Sequence, residues 1–395
     1  MPGAARIGEG PNYSDVAQSL RILDSLDGID PARWDALADG NPTLAFAFLD
    51  SLHRSGCAAP ESGWAPCYPT LWEGERLVGA APLYAKSHSF GEYVFDWAWA
   101  DAYERHGLAY YPKLLCAVPF TPATGARLLA QDGDCRAKLA RAMLAVARDS
   151  RFSSLHVLFP AGRDAETLRP MGFLERRGVQ FHWSNPGYAS FDAFLAELSH
   201  DKRKKIRQER RKVAQQGVTL RRLTGREATG ADWDFFTACY RRTYRAHRST
   251  PYLDRAFFGL LAERMPDSLL LVIAERDARP IAAALDLFGP RALYGRYWGS
   301  VEHVPGLHFE ACYYQGMEFC IERGIPLFEG GAQGEHKHAR GFLPEATHSF
   351  HWLAHPAFTR AIDDFLAREG AGIEAYVDEL DERSPFRRAK GEERR

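Results

Sequence analysis

The sequence predicts an α/β protein made of two related halves, each with a mixed sheet flanked by helices. One observation behind this prediction is length, because 395 residues exceed what a single hydrophobic core usually organises. The other is a faint internal repeat, in which Val78-Gly-Ala-Ala81 aligns with Ile281-Ala-Ala-Ala284. Each segment lies in a strand–turn–strand unit that a further strand and a helix follow. Chance similarity between two ordinary hairpins is the alternative explanation.

The composition is that of a globular protein, with 46% hydrophobic and 26% charged residues. Its 50 Lys and Arg side chains almost balance 51 Asp and Glu side chains, so overall charge gives no argument for nucleic-acid or membrane binding. The seven cysteines include no Cys-x-x-Cys pair, which fits a reducing compartment. No apolar run is long enough to span a bilayer, and residues 1–15 lack the apolar core of a signal peptide. We therefore expect a cytoplasmic protein without a membrane span.

The elements of the first half follow from hydrophobic periodicity and turn residues. In chain order they are a helical stretch 32–53 interrupted at Asn41-Pro42, strands 68–72 and 77–84, a helix 135–147, and strands 153–159 and 171–183. The second half repeats this order. Its predicted elements are helices 233–247 and 254–265, a hairpin of strands 269–274 and 280–288, a strand 292–298, a helix 309–323 that ends at Gly324, and a strand 325–329.

One helix, 191–216, is predicted to join the halves, with Ser190 as its N-cap and Gly217 at its end. The predicted organisation is therefore a flexible N-terminus 1–18, a first domain 19–188, a basic connecting helix 189–218, a second domain 219–370 and a charged tail 371–395.

The connecting helix carries eight basic residues among the eleven from Lys202 to Lys212. Such a cluster can hold the phosphate of a donor molecule. The candidate donor-phosphate-binding residues are Arg203, Lys204, Arg207 and Arg211. The competing interpretation is a solvated linker helix whose cations pair with acidic neighbours.

A glycine-rich segment follows the last predicted strand of the second half and is dense in Glu, His and Lys. Its glycines let the backbone approach a ligand closely, and its charged groups can accept a proton or bind an anion. The candidates for substrate binding in this half are Arg296, Gly331, Gln333, Gly334 and Lys337, and those for proton transfer are Glu335, His336, Glu310 and Tyr297. The alternative is a loop of ordinary turns with solvated charges.

An aromatic segment of the first half mixes large rings with polar side chains, as the wall of a small-molecule or peptide cleft does. The candidate substrate-binding residues here are Lys86, His88, Tyr93, Asp96, Trp97, Trp99, Tyr103 and Lys113. The alternative for the aromatics is a core strand, since Tyr93, Phe95, Trp97 and Trp99 alternate along the chain.

Five of the fourteen histidines lie between residues 336 and 355. No carboxylate or cysteine completes a recognisable ligand set around them, and the run Ser349-Phe-His-Trp352 alternates as a strand does. We therefore expect no metal site.

Several separated motifs together resemble the FemAB-like family of peptidoglycan biosynthesis and recognition proteins, in the GNAT superfamily. The motifs are 91–100, 110–114, 118–122, the basic run 202–211 and Gly331-Ala-Gln-Gly-Glu-His-Lys337, and the resemblance extends over 19–370. It implies two tandem GNAT-like domains joined by the basic helix, and transfer of an acyl or aminoacyl group onto an amine.

The resemblance leaves the donor open among acyl-CoA, an acyl carrier protein and aminoacyl-tRNA, each a cosubstrate and not a bound cofactor. The acceptor it implies is the amine of a peptide or of a small molecule. Two rival functions remain: a CoA- or carrier-protein-dependent acyltransferase unrelated to peptidoglycan, and a non-catalytic module that binds muropeptides.

Overall fold

The computed structural model describes residues 18–331 and 334–387 of the chain, which form an α/β fold. Its strands are β1 Gln18–Leu23, β2 Trp64–Pro66, β3 Tyr68–Glu73, β4 Arg76–Ala80, β5 Leu83–Lys86, β6 Lys113–Cys116, β7 Leu129–Ala130, β8 Ser154–Leu158, β9 Leu174–Ser184, β10 Val218–Thr224, β11 Leu269–Arg276, β12 Arg279–Phe288, β13 Ala292–Ser300, β14 Leu327–Glu329 and β15 Leu343–Leu353. The predicted flexible segment 1–18 lies outside the described residues, apart from Gln18 at the start of β1.

The helices flank these strands. They are α1 Pro31–Ala38, α2 Phe46–Arg54, α3 Trp97–Arg105, α4 Gly133–Asp149, α5 Gly162–Leu168, α6 Phe191–Glu197, α7 His200–Gln215, α8 Gly230–Ala246, α9 Arg255–Arg264, α10 Leu307–Phe309, α11 Gln315–Arg323, α12 Glu335–His338 and α13 Pro356–Glu382. A π-helical turn, Glu310–Tyr314, joins α10 to α11. Within the described ranges, no helix combines the length and apolar character that crossing a bilayer requires.

Each half contains the same order of elements, as the sequence repeat predicts. Helices α1 and α2 lie between β1 and β3, and α8 and α9 lie between β10 and β11. Each half also has a parallel strand pair, β6 with β8 around α4 and β13 with β14 around α10–α11. The fold is therefore a tandem duplication of one mixed sheet flanked by helices.

The halves differ at the second strand of the predicted hairpin. In the second half this strand, β12, continues without interruption beside β11 and β13. In the first half it is interrupted at Ala81-Pro82, so that β4 pairs in a four-stranded sheet, β1-β3-β4-β7, while β5 pairs in the large sheet. Proline lacks the N–H that a ladder position needs, which explains the break at this point.

A single eleven-stranded sheet crosses both halves, in the order β10-β11-β12-β13-β14-β9-β15-β8-β6-β5-β2. Strand β14 of the second half pairs with β9 of the first, with Phe328 opposite Trp183. Strand β15, late in the chain, lies between β9 and β8 of the first half. Helix α13 covers β9 and β15 and continues across residue 370, so the predicted limit between domain and tail falls inside a helix.

The connection between the halves is not the single helix predicted for 191–216. Ser190 does cap its start, since its side chain accepts the N–H of Ala193 at 3.1 Å. The helix stops at Glu197, because Leu198 adopts an extended conformation and forms a β-bridge with Phe386. A second helix, α7, begins at His200 and carries the basic residues. A long-range backbone contact, absent from any local pattern, thus divides the connection in two.

Helix α8 packs very closely against β13, and Gly299 permits this approach. A Cβ atom at residue 299 would overlap the carbonyl oxygen of Cys239 in α8. Thr243, one turn further along α8, donates its hydroxyl to the carbonyl of Trp298 at 2.8 Å. Backbone atoms cannot move aside as a flexible side chain can, so this contact fixes the spacing between helix and sheet.

Substitution of Gly299 by Ala should destabilise the second half. We expect the free energy of unfolding to fall by about 1–3 kcal/mol, the usual cost of overpacking a core contact. Chemical denaturation monitored by circular dichroism measures this change. The control is Gly133→Ala, where a Cβ would meet no heavy atom within 4 Å. Equal stability of the two variants would contradict the close contact.

Candidate functional site

The second half contains a cavity of about 140 Å³ between β12, β13 and the helical segment α10–α11. It lies on the face of the sheet that α11 covers, where the paired stretch of β13 and β14 ends. The residues that give it chemical character are Asp286, Arg296, Tyr297, His308, Tyr313 and Lys337. Three of the sequence candidates, Arg296, Tyr297 and Lys337, therefore meet in one place.

Asp286 lies at the base of this cavity and was not among the sequence candidates. Its side chain is 2% exposed, and its Oδ2 atom has no hydrogen-bond partner among the described residues. Burial raises the pKa of this carboxyl to about 8, although the backbone N–H and the cation of Arg296 act in the opposite direction. A carboxyl with this pKa can exchange a proton near neutral pH.

A β-bulge brings the Arg296 amide to Asp286. Opposite β12, Leu285 pairs with Tyr297 while Asp286 pairs with Gly295, so Arg296 is an extra residue in β13. The Arg296 N–H bonds to the Asp286 carboxylate instead of completing the regular ladder. Bulges commonly re-aim groups beside active sites, and this one directs a backbone donor at a buried acid.

Lys337 closes the other side of the cavity. Its ammonium group donates to the carbonyl oxygen of Gly330, and also to that of Gly331 at 3.5 Å. Burial lowers the pKa of Lys337 to about 8. Gly331 and Gly334 both have positive φ angles, and a Cβ on Gly334 would overlap the ring of His336. These glycines therefore allow the turn that brings Lys337 to the cavity.

His336 lies at the mouth of the cavity. Its Nε2 atom is 2.9 Å from the hydroxyl of Tyr313, which lines the cavity. Burial and the cations Lys337 and Arg340 lower the pKa of His336, so the ring is neutral at pH 7 and can accept a proton. The candidate Gln333 lies outside the described residues, and of Glu335 only the backbone is described.

Arg296 and Tyr297 also form part of the contact between the halves. The Arg296 guanidinium donates to the Phe120 carbonyl of the first half and, at 3.0 Å, to the Tyr297 hydroxyl. Tyr93, a first-half candidate with φ of 65°, is close enough to act electrostatically on both residues. Burial raises the pKa of Tyr297 to about 12, so its hydroxyl keeps its proton at neutral pH.

Glu310 faces away from the cavity, towards helix α7. Its carboxylate accepts hydrogen bonds from Arg210 at 3.0 Å and from Gln315 at 2.8 Å. Arg210 also bonds Glu318 at 2.6 Å. The structure thus places this candidate base in a buried ion pair that joins α7 to the π-helical turn.

Most of the basic candidates on α7 remain accessible. Lys204, Arg207 and Arg211 are exposed and Arg203 is half-buried. Arg207 forms an ion pair with Asp192 at 2.8 Å, while the other three have no carboxylate within 4 Å in the described part of the chain.

A second contact connects α7 to the cavity mouth, because Arg340 bonds both Glu209 of α7, at 2.6 Å, and the His336 carbonyl, at 2.5 Å.

In the first half, the structure places most of the aromatic-segment candidates in a closed core. Lys113 is fully buried and donates to Ser89 at 2.7 Å, to Glu92 at 2.8 Å and to Asp96. Tyr110 donates its hydroxyl to the same Asp96 oxygen at 2.6 Å. The desolvation cost of a buried lysine is offset only when several hydrogen-bond acceptors surround its ammonium group, and Lys113 has three.

From Trp97 onwards this segment is a helix and not the alternating strand considered above. Trp99 and Tyr103 lie one turn apart on α3 and are buried, whereas Trp97 is 40% exposed. Lys86 lies 3.7 Å above the centre of the Trp64 ring, and burial lowers its pKa to about 7. The Nε2 atom of His88 is 3.1 Å from the Ser62 carbonyl. These polar groups therefore have partners within the first half.

Asp286 could have been found from the sequence by one signal. It is the only charged residue in the apolar run from Pro280 to Phe288, and a carboxylate inside a buried strand needs an explanation.

Among the described residues, no three His, Cys, Asp or Glu side chains are placed to hold a metal ion.

Two solved structures with TM-scores just above 0.5 share this fold at low sequence identity, and a third with a lower score is less similar. FemX is 12% identical with a TM-score of 0.52, over 85% of this chain and 98% of that chain. L-PGS from Bacillus licheniformis is 8% identical with a TM-score of 0.51, over 85% and 97%. A tandem GNAT protein from the clavulanic acid biosynthesis pathway is 14% identical with a TM-score of 0.45, over 86% and 99%.

The sequence comparisons are more specific. No curated protein matches the sequence. The FemAB-like family model, described as peptidoglycan biosynthesis/recognition, matches residues 25–388. Since this match spans nearly the whole chain, the protein belongs to the FemAB-like family.

Proposed function

We propose that the protein is an N-acyltransferase that transfers an acyl or aminoacyl group to the amine of a peptide or small-molecule acceptor. The observation that carries the proposal is Asp286, a buried carboxyl with one unpaired oxygen in a cavity lined by proton donors. Membership of a family of peptidoglycan biosynthesis/recognition proteins supports the same chemistry. Peptidoglycan precursors are accordingly the first acceptors to test.

The reaction needs a base, because an amine that attacks a carbonyl must lose a proton. Asp286 in its ionised form accepts that proton within the cavity, and His336 at the mouth is the alternative acceptor. The Lys337 ammonium and the Tyr313 hydroxyl are donors for the oxyanion of the tetrahedral intermediate. The Tyr297 hydroxyl bonds to Arg296 on the opposite face of the sheet, so the leaving group takes its proton from the Asp286 carboxyl that the amine has protonated.

The donor is acyl-CoA, an acyl carrier protein or aminoacyl-tRNA. A cavity of about 140 Å³ admits the acyl group but not the remainder of such a donor. The Arg340 bridge connects α7 to the cavity mouth, and the exposed cations of this helix suit the donor's phosphates. The second candidate function is muropeptide binding without catalysis, since the family includes peptidoglycan recognition as well as biosynthesis.

Thermal shift measurements with CoA species, UDP-linked muropeptide and tRNA, each tested separately, distinguish these functions. Stabilisation by one donor class identifies the cosubstrate for turnover assays. Stabilisation by muropeptide alone, without turnover by any donor, would establish the binding module and overturn the enzyme.

Replacement of Asp286 by Asn should abolish transfer without destabilising the fold. We expect kcat to fall by about 10²–10⁴-fold, the usual contribution of a general base. Stability should not decrease, because Asn keeps the shape of the protonated acid and avoids burying a charge. Activity assays and thermal unfolding of the same preparations measure both effects.

Glu310→Gln is the matched control, since it neutralises another buried carboxylate of the same region. It removes the charge that Arg210 pairs with, so we expect it to destabilise the fold by about 3 kcal/mol while the folded enzyme keeps its kcat. Loss of activity in Glu310→Gln and its retention in Asp286→Asn would reverse the assignment of the base.

The pH dependence of kcat/KM separates Asp286 from His336 as the base. The pKa of Asp286 is raised to about 8, so its proton-accepting form is lost as the pH falls below that value, and the rate should climb about tenfold between pH 6.5 and 7.5. The pKa of His336 is lowered from its ordinary value, so the rate of a reaction that used His336 would rise less than about twofold over the same interval. A hydrazide acceptor, neutral across this range, removes the acceptor's own titration.

Charge reversal on α7 should weaken donor binding selectively. In the double variant Lys204→Glu and Arg211→Glu we expect the KM for the donor to rise at least about tenfold at low salt, with kcat nearly unchanged. The control is Arg141→Glu with Arg151→Glu, two exposed positions of the first half, one on α4 and one in the turn after it. An equal change in both double variants would mean that only overall charge matters.

A further inference from the structure

Cys312 lines the cavity of Asp286 and differs from the other cysteines of the second half. Its side chain is partly exposed, and its thiol has no hydrogen-bond partner among the described residues. Cys239 and Cys320 are buried and do not line this cavity. A thiol that faces a cavity can react with a ligand there, whereas a thiol enclosed in the core cannot.

The π-helical turn Glu310–Tyr314 contains Cys312. In a regular α-helix consecutive side chains point about 100° apart, so they rarely share one cavity. Here Cys312 and the next residue, Tyr313, both line it. Turns of this kind are rare and occur frequently at functional sites. The helix thus presents a thiol and a hydroxyl to the same ligand.

Two charged groups of the cavity act on this thiol. Burial and the Asp286 carboxylate raise the pKa of Cys312, and the Lys337 ammonium acts in the opposite direction. The thiol therefore keeps its proton at neutral pH until a base removes it. Asp286 is almost fully buried and has one oxygen without a hydrogen-bond partner among the described residues, so a base is available in the same cavity.

We propose that Cys312 carries the acyl group from donor to acceptor as a thioester. The inference rests on the proposed acyl transfer and divides it into two steps with a covalent intermediate. It adds a nucleophile, which direct attack of an amine on the donor does not need.

In the first step, the Cys312 sulfur attacks the donor carbonyl while Asp286 takes the thiol proton. The bond between the acyl carbon and the donor breaks, and the departing thiol or hydroxyl takes that proton from Asp286. In the second step, the acceptor amine attacks the thioester and gives its proton to Asp286. The bond between the acyl carbon and Cys312 breaks, and the sulfur takes the proton back. Lys337 and Tyr313 donate to the oxyanion in both steps.

The size of the cavity favours such a relay. A volume of about 140 Å³ holds an acyl group but not a donor and an acceptor together. An acyl group bound to Cys312 stays in the cavity after the rest of the donor has left, so the acceptor can use the same opening. With a CoA or carrier-protein donor, one thioester is broken and another is formed, so the first step needs little free energy.

The first test looks for the intermediate with the N-acetylcysteamine thioesters of acetic acid and of alanine, which are minimal donors without phosphates. The full chain is incubated with each thioester in the absence of an amine acceptor, quenched in acid and examined by intact mass spectrometry. We expect one acyl group per chain, located on Cys312 by peptide mapping. Neutral hydroxylamine should remove it, since it cleaves a thioester and not an amide. Absence of the adduct with both thioesters overturns the inference.

Cys312→Ala should abolish the adduct, and Asp286→Asn should slow its formation at least about tenfold because the thiol loses its base. Cys67→Ala is the matched control, since Cys67 is also partly exposed but lies in the first half. This control should become acylated as the wild type does. Thermal unfolding confirms that each variant is folded. An adduct that forms in Cys312→Ala at the wild-type rate contradicts the assignment.

Exchange kinetics provide a measurement that a purely structural role of Cys312 would not change. In the absence of acceptor, the wild type should exchange isotope label between free N-acetylcysteamine and its thioester. Cys312→Ala should lose this exchange, and its kcat for transfer to an amine should fall at least about 10²-fold, because only direct attack remains.

The outcomes separate this inference from the proposed function. If Cys312→Ala transfers acyl groups to an amine at the wild-type rate, the relay is wrong and the acyltransferase stands. If Cys312 becomes acylated and no amine receives the group, the thioester site stands and transfer to amines falls.

Discussion

Backbone pairing of β14 with β9 is the constraint on which the rest of the molecule depends. These hydrogen bonds continue the sheet of one half into the other, so the halves cannot rotate about a flexible linker. The same pairing places β14 near the centre of the eleven-stranded sheet, beside the cavity of Asp286. The wall of this cavity is therefore set by sheet geometry, and the groups on β13 and β14 keep fixed positions relative to each other.

Buried charge has two different outcomes in this protein. In the first half, Lys113 is surrounded by Ser89, Glu92 and Asp96, and their mutual hydrogen bonds offset the cost of burial. In the second half, Asp286 is equally buried but receives little beyond one backbone N–H. Its ionisation is consequently displaced towards neutral pH. The first arrangement stabilises a core, and the second gives a group that can exchange a proton.

The sequence allowed the fold class and the duplication to be predicted, because hydrophobic periodicity and the two hairpins are local signals. It also led to Lys337, Arg296 and Tyr297, which converge on one cavity. Local sequence patterns did not predict the elements whose conformation depends on contacts between residues far apart in the chain. The bridge between Leu198 and Phe386 divides the connecting helix, and nothing between residues 191 and 216 reveals it. The aromatics at 93–99 alternate as they would in a strand. In the structure, helix α3 begins at Trp97 and buries Trp99 and Tyr103 on one face.

Asp286 was missed for a related reason. It is a single carboxylate in an apolar strand, and its role depends on which face of the sheet it occupies and on the bulge opposite it in β13. The bulge at Arg296 and the insertion of β15 between β9 and β8 both depend on strand pairing throughout the sheet. Neither can be derived from spacing along the chain.

The position of β15 has a consequence for the order in which the chain becomes structured during synthesis. Strands β8 and β9 of the first half are separated in the sheet by β15, which the ribosome makes about 160 residues after β9. Until β15 is inserted, β8 and β9 each expose an unpaired edge, the kind of surface that promotes association between incomplete chains. The first half therefore reaches its final sheet only after most of the second half has been translated, although it comes first in the sequence.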